Sequence, residues 1–102
     1  MFGKVDLVLR TPVKSGENIL AQVTVTGAKP GGSVTVALEQ TRGVAPLYGP
    51  AVVVVTADAT GKANADFKVA LQGPASAVLL ASAYDSFGPH YEPDAEIVQV
   101  TE

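Results

Sequence analysis

The sequence has no cysteine, no tryptophan and a single histidine, His90. The first absence excludes disulfides, thiolate nucleophiles and cysteine-ligated metals. With one histidine, a multi-histidine metal site would need several chains together. Charge is scarce as well: 17% of the 102 residues are Asp, Glu, Lys or Arg, and the net charge is −3. The basic residues form no run, so nucleic acid is not an expected partner, because phosphate contacts need clustered Lys and Arg. No apolar run exceeds five residues, the length of Ala51–Val55, against the about 20 of a membrane-spanning helix. Lys4, Asp6 and Arg10 interrupt the first residues, which argues against a signal-peptide core and for synthesis in the cytoplasm.

What is present is β-forming. Val, Ile and Thr make up a quarter of the chain, and such residues pack well on a pleated surface. Gly and Pro recur at short intervals that suit strands better than helices. Apolar residues alternate with polar ones in Val5-Leu7-Leu9, Ile19-Ala21-Val23-Val25, Val34-Val36-Leu38 and Ala63-Ala65-Phe67-Val69-Leu71. The pattern predicts seven strands, at about 4–10, 18–26, 33–40, 51–57, 62–71, 76–84 and 95–101. A short helix over 76–84 is the alternative there, because that segment is rich in Ala and Leu. Turn chemistry separates the strands: Ala28-Lys29-Pro30-Gly31-Gly32, Asp58-Ala59-Thr60-Gly61 and Gln72-Gly73-Pro74-Ala75. The expected core is Val5, Leu7, Ile19, Val23, Val25, Val34, Val36, Leu38, Phe67, Val69, Val78 and Leu80. Residues 1–102 read as one domain, an all-β antiparallel two-sheet sandwich.

The segment Thr56-Ala57-Asp58-Ala59-Thr60-Gly61-Lys62-Ala63-Asn64-Ala65-Asp66-Phe67 resembles a hairpin of invasin-type immunoglobulin-like repeats. Val78-Leu79-Leu80-Ala81-Ser82-Ala83-Tyr84-Asp85 resembles the penultimate strand of such domains, and Pro30 to Val36 their second hairpin. The resemblance, to bacterial and phage immunoglobulin-like domains, implies that sandwich fold. For function it implies little, because the fold serves adhesion, spacing and assembly alike.

No catalytic constellation emerges. The serines lack an elbow motif, Gly31-Gly32 lacks a following Lys-Ser or Lys-Thr, and the acids are scattered. His90-x-Glu92-x-Asp94 could present three donors, but a polar loop is the simpler reading. Neither cofactor, metal nor enzymatic activity is expected. Two loops stand out for apolar side chains: 43–50, with Val44, Leu47 and Tyr48, and 86–94, with Phe87, His90 and Tyr91. These residues either cap the core or touch a partner. The run Val52-Val53-Val54-Val55 is apolar at both parities, as in a shielded central strand or in an edge that invites another chain. Together these features suggest a structural assembly subunit of a virion or cell-surface assembly. The specific expectation is a small protein that decorates or cements a phage capsid, contacting capsid protein and copies of itself. The alternative is an adhesion or carbohydrate-binding module.

Overall fold

The fold is given by a computed structural model, which describes residues 3–10, 12–42, 51–85 and 91–102. Its elements are β1 (Gly3–Val8), β2 (Val13–Lys14), β3 (Asn18–Thr26), β4 (Ser33–Arg42), β5 (Ala51–Thr56), β6 (Ala63–Ala70), β7 (Ala75–Tyr84), β8 (Tyr91–Glu92) and β9 (Asp94–Thr101). The seven long strands lie within two residues of the ranges read from the sequence. Residues 76–84 are strand, not helix. No helix occurs among the described residues.

The strands form two sheets, in the orders β6-β3-β1-β8 and β2-β9-β7-β4-β5. All pairs between long strands are antiparallel. Two short ladders, β1–β8 and β2–β9, are parallel, so both sheets are mixed where an antiparallel pair of sheets was expected. The cause is that each terminal segment changes sheets. The chain leaves β1 in one sheet and reaches β2 in the other; it leaves β8 and reaches β9 likewise. A proline stands at each change, Pro12 before β2 and Pro93 between β8 and β9. Lacking an N–H, proline cannot continue a ladder and so ends the pairing there.

The inward faces meet in one core in which Leu71, Val23, Val25, Val34, Val36 and Val98 are the largest fully buried side chains. Ten of the twelve expected core residues are buried. Val78 and Leu80 are not: β7 buries Ala77, Leu79, Ala81 and Ala83 instead, leaving Val78 and Leu80 half-buried on the outer side. That segment is apolar at both parities, so its sequence does not mark the inward side, and a shift of one residue reverses every side chain. Alanines at six inward positions (21, 63, 65, 77, 81 and 83) leave room for Phe67 and Tyr91, the aromatic members of the core.

Turns cluster by hydrogen bonding as simple up-and-down strands require. At one end Gly16 N–H donates to the Leu71 carbonyl, and Gly73 N–H to Ser15 Oγ. At the other, Ala28 N–H donates to the Gly61 carbonyl and Gly31 N–H to that of Ala57. Asp58 to Gly61 form the tight reversal expected of them: Gly61 N–H donates to the Asp58 carbonyl at 3.1 Å. Gly61 has φ +81°, and a Cβ there would collide with the Ala28 carbonyl oxygen. Glycine is needed on both counts.

Candidate functional site

The two outward faces differ in chemistry. On the four-stranded sheet, Lys4 and Asp6 of β1 project beside Gln22 and Thr24 of β3 and Asn64, Asp66 and Lys68 of β6. Lys4 and Asp6 approach to 4.0 Å, and the Thr24 hydroxyl lies 3.1 Å from Asn64 Oδ1. This is an ordinary solvated face, interrupted by Leu20 and Val8.

The five-stranded sheet presents the opposite. The ladder registers place Val54, Thr35 and Tyr84 in one outward row across β5, β4 and β7. Val52, Ala37 and Ser82 form the next, then Glu39, Leu80 and Ala95, then Val78 beside Ile97. Ile97 is 66% exposed, Val52 63%, Val54 62% and Tyr84 45%. Among the described side chains that β4, β5, β7 and β9 turn outward, Glu39 is the one charged group. Solvent-facing sheet surfaces are normally polar, and a contiguous apolar patch marks a contact site.

This face ends at an open edge. Among the described residues strand β5 pairs with β4 alone, so the backbone groups on its far side have no ladder partner there. The valine run, read as either a shielded central strand or an edge, is therefore an edge among the described strands.

Of the residues singled out in the two apolar loops, Val44, Leu47, Tyr48, Phe87 and His90 lie outside the described residues. Tyr91 is described, and it faces inward. Its ring is 6% exposed and packs against the Gly3 backbone, where any Cβ would strike it. Its hydroxyl donates to Asp85 Oδ2 at 2.7 Å. Burial first, then this hydrogen bond and the negative charge of Asp85, push the Tyr91 phenol up to about 12. Tyr91 thus belongs to the core, the other of the two roles the sequence left open for it.

Sequence reasoning passed over Tyr84 and Ile97. A signal was present for Ile97: Val98 and Val100 share one parity and go inward, so Ile97 had to be an apolar residue on the outward parity.

Small-molecule chemistry has little to work with among the described residues. A cleft lined by Lys29, Gly31, Gly32, Ser33 and Asp85 holds 240 Å³ and one beside Val8, Gln22, Thr24, Asn64 and Asp66 holds 340 Å³, at or below the small end of the about 300–1,000 Å³ of usual ligand pockets. No group of three or more His, Asp or Glu side chains gathers among the described residues. Asp58 already accepts three hydrogen bonds, from Thr60 N–H, the Thr60 hydroxyl and Lys62 N–H. Compared with known proteins, the chain matches no family model and no curated protein sequence.

Proposed function

We propose that the chain is a non-enzymatic structural subunit that works by surface contact. In its specific form it is an immunoglobulin-like module that decorates or cements a phage capsid or a similar surface assembly. The observation that carries this reading is the contrast between the outward faces. One bears Lys4, Asp6, Asp66 and Lys68; the other bears Val52, Val54, Tyr84, Leu80, Val78 and Ile97, with Glu39 and, at its β2 margin, Lys14 as the charges among the described side chains. Leaving large apolar side chains in water forgoes about 25 cal/mol for each Å² that could be covered. A partner that covers this face gains that term, and the solvated face opposite keeps the assembled particle in solution.

The strand order supports the immunoglobulin-like part of the reading. On this reading strands β1, β3 and β6 would correspond to strands A, B and E of such sandwiches. Strands β4, β7 and β9 would correspond to C, F and G in the opposed sheet, with β5 beside β4 in the place of C′ of variable-type domains.

The test is co-sedimentation of the purified chain with phage capsids or surface particles from its own source. Wild type is expected to pellet saturably with the particles. A Val54→Asp/Ile97→Asp double variant is expected to keep its melting temperature, because both side chains are mostly exposed, and to stay in the supernatant. Wild type that remains in the supernatant at saturating concentration overturns the reading.

A further inference from the structure

The contact reading leaves open what the free edge of the larger sheet meets. Among the described residues four strands lie at sheet edges: β6 and β8 in one sheet, β2 and β5 in the other. Strands β2 and β8 have two residues each, too few to template a partner. Strand β6 has eight residues and carries Asp66 and Lys68 on its outward side, charges of the kind that blunt an edge. Strand β5, Ala51–Thr56, has six residues, no charge, no proline, and an unbroken register with β4 from Thr56 to Ala51. Among the described residues it is the long edge that lacks every one of those safeguards.

We infer that a second copy of this chain pairs antiparallel with β5 through its own β5, joining two five-stranded sheets into one of ten strands. This rests on the contact reading and names one partner for it. Charge does not oppose a copy at this edge: although the chain carries a net −3, approach along β5 sets no charged strand residue against another. Symmetry is what selects a copy. A two-fold contact must be self-complementary, and four consecutive valines offer the same surface in both directions. With the axis at Val53, Val53 faces its counterpart, and Val52 of each copy faces Val54 of the other. Each facing pair then lies on the same side of the joined sheet, so the apolar outer faces of the two copies run together.

The size of the contact sets its strength. Six residues span about 20 Å, which gives far less than the about 800 Å² per partner of a stable complex. Pairing is therefore weak between free molecules and strong where copies are held side by side, because a high effective concentration replaces area. That is the situation of subunits arrayed on a particle.

Sedimentation equilibrium of the full chain from about 10 μM to about 1 mM reads the pairing directly. The weight-average mass is expected to climb from 10.4 kDa toward twice that value. Val52→Lys and Val54→Lys alter side chains that are 63% and 62% exposed, so the fold is spared, and each is expected to weaken pairing at least about tenfold. Mixing Val52→Lys with Val54→Glu is expected to restore it, because the axis at Val53 sets the two new charges opposite each other. The absence of cysteine allows a second reading: Val53→Cys is expected to oxidise to a linked dimer faster than Ile97→Cys, since facing strand residues have Cα atoms within disulfide range. A wild type that is monomeric at about 1 mM, a Val52→Lys variant that pairs as wild type does, or equal cross-linking of the two cysteine variants overturns the inference. A chain that stays monomeric yet co-sediments with particles overturns self-pairing alone. One that dimerises but never co-sediments overturns the contact reading alone.

Discussion

The Asp94 carboxylate accepts the backbone N–H of Leu7 at 2.7 Å, across 87 residues of chain. Strand β8 covers the open side of β1 only at Gly3 and Lys4. Past that point no described strand neighbours β1 on that side, and the first residue of β9 supplies a side chain in place of a strand. Asp94→Ala leaves this N–H without its acceptor beside a buried side chain, and a loss of about 1–3 kcal/mol is expected. Asp94→Asn keeps an acceptor oxygen and is expected to lose less. Urea midpoints of the two variants check the order.

Tyr91 makes stability depend on pH at the alkaline end. Its phenol is raised to about 12 in the folded chain against about 10 unfolded. The folded state therefore holds the proton more tightly. Its contribution is complete below about pH 10 and is lost as pH rises toward about 12. Tyr91→Phe removes both the titration and the hydrogen bond to Asp85. The difference in stability between wild type and this variant is expected to shrink over that interval, as followed by denaturant titrations at stepped pH.

Asp58 acts at the acid end. Hydrogen bonds from Thr60 and Lys62 hold its carboxyl below the ordinary carboxylate value. A lowered value means the contribution is present above about pH 4 and is lost as pH falls through the folded value. Asp58→Asn is expected to lower the melting temperature at neutral pH and to match wild type in strong acid. A difference that persists unchanged into acid would show that the carboxylate charge is not what organises the turn.

Gly61→Val is expected to destabilise by more than the about 1–2 kcal/mol of a left-handed backbone alone, because its Cβ also meets the Ala28 carbonyl. Gly61→Ala meets the same carbonyl without the branched methyls and should fall between the two. Thermal melts of the pair check this ranking.

Phe67 is 6% exposed and lies opposite Ala21 in the β3–β6 ladder. Truncation to alanine is expected to cost about 3–5 kcal/mol, a large share of the stability of a domain this size. An unchanged denaturant midpoint would contradict the inward placement of this ring.

Much of the sandwich is legible in the chain because its strands alternate cleanly. Ile19 to Val25 and Ala63 to Val69 put one parity inside and the other in water, and turn residues bound them. Legibility fails where alternation fails. Strand β7 is apolar at both parities, so nothing local says whether Val78 or Leu79 goes inward; packing against the opposed sheet decides. The ladders of β2 and β8 were invisible because two residues carry no period, and pairings such as Val13 with Val100 depend on distant chain. For the candidate site, the valine run was conspicuous, yet its place at an edge is a property of strand order, which no local pattern encodes.

The exchange of sheets at Pro12 and Pro93 bears on how the chain is made. Strand β9 sits between β2 and β7, and β8 completes the row beside β1, so neither sheet reaches its final order until residues 91–101 have left the ribosome. Before then the inward faces of β1 and β7 lack their last neighbours, and Val5, Leu7 and Leu79 are incompletely covered. Pairings between the first and last strands close loops of nearly the full chain length, which is slow in all-β folds. A nascent chain arrested before Tyr91 would thus display uncovered valines together with the open β5 edge, a form suited to chaperone capture or proteolysis rather than to assembly.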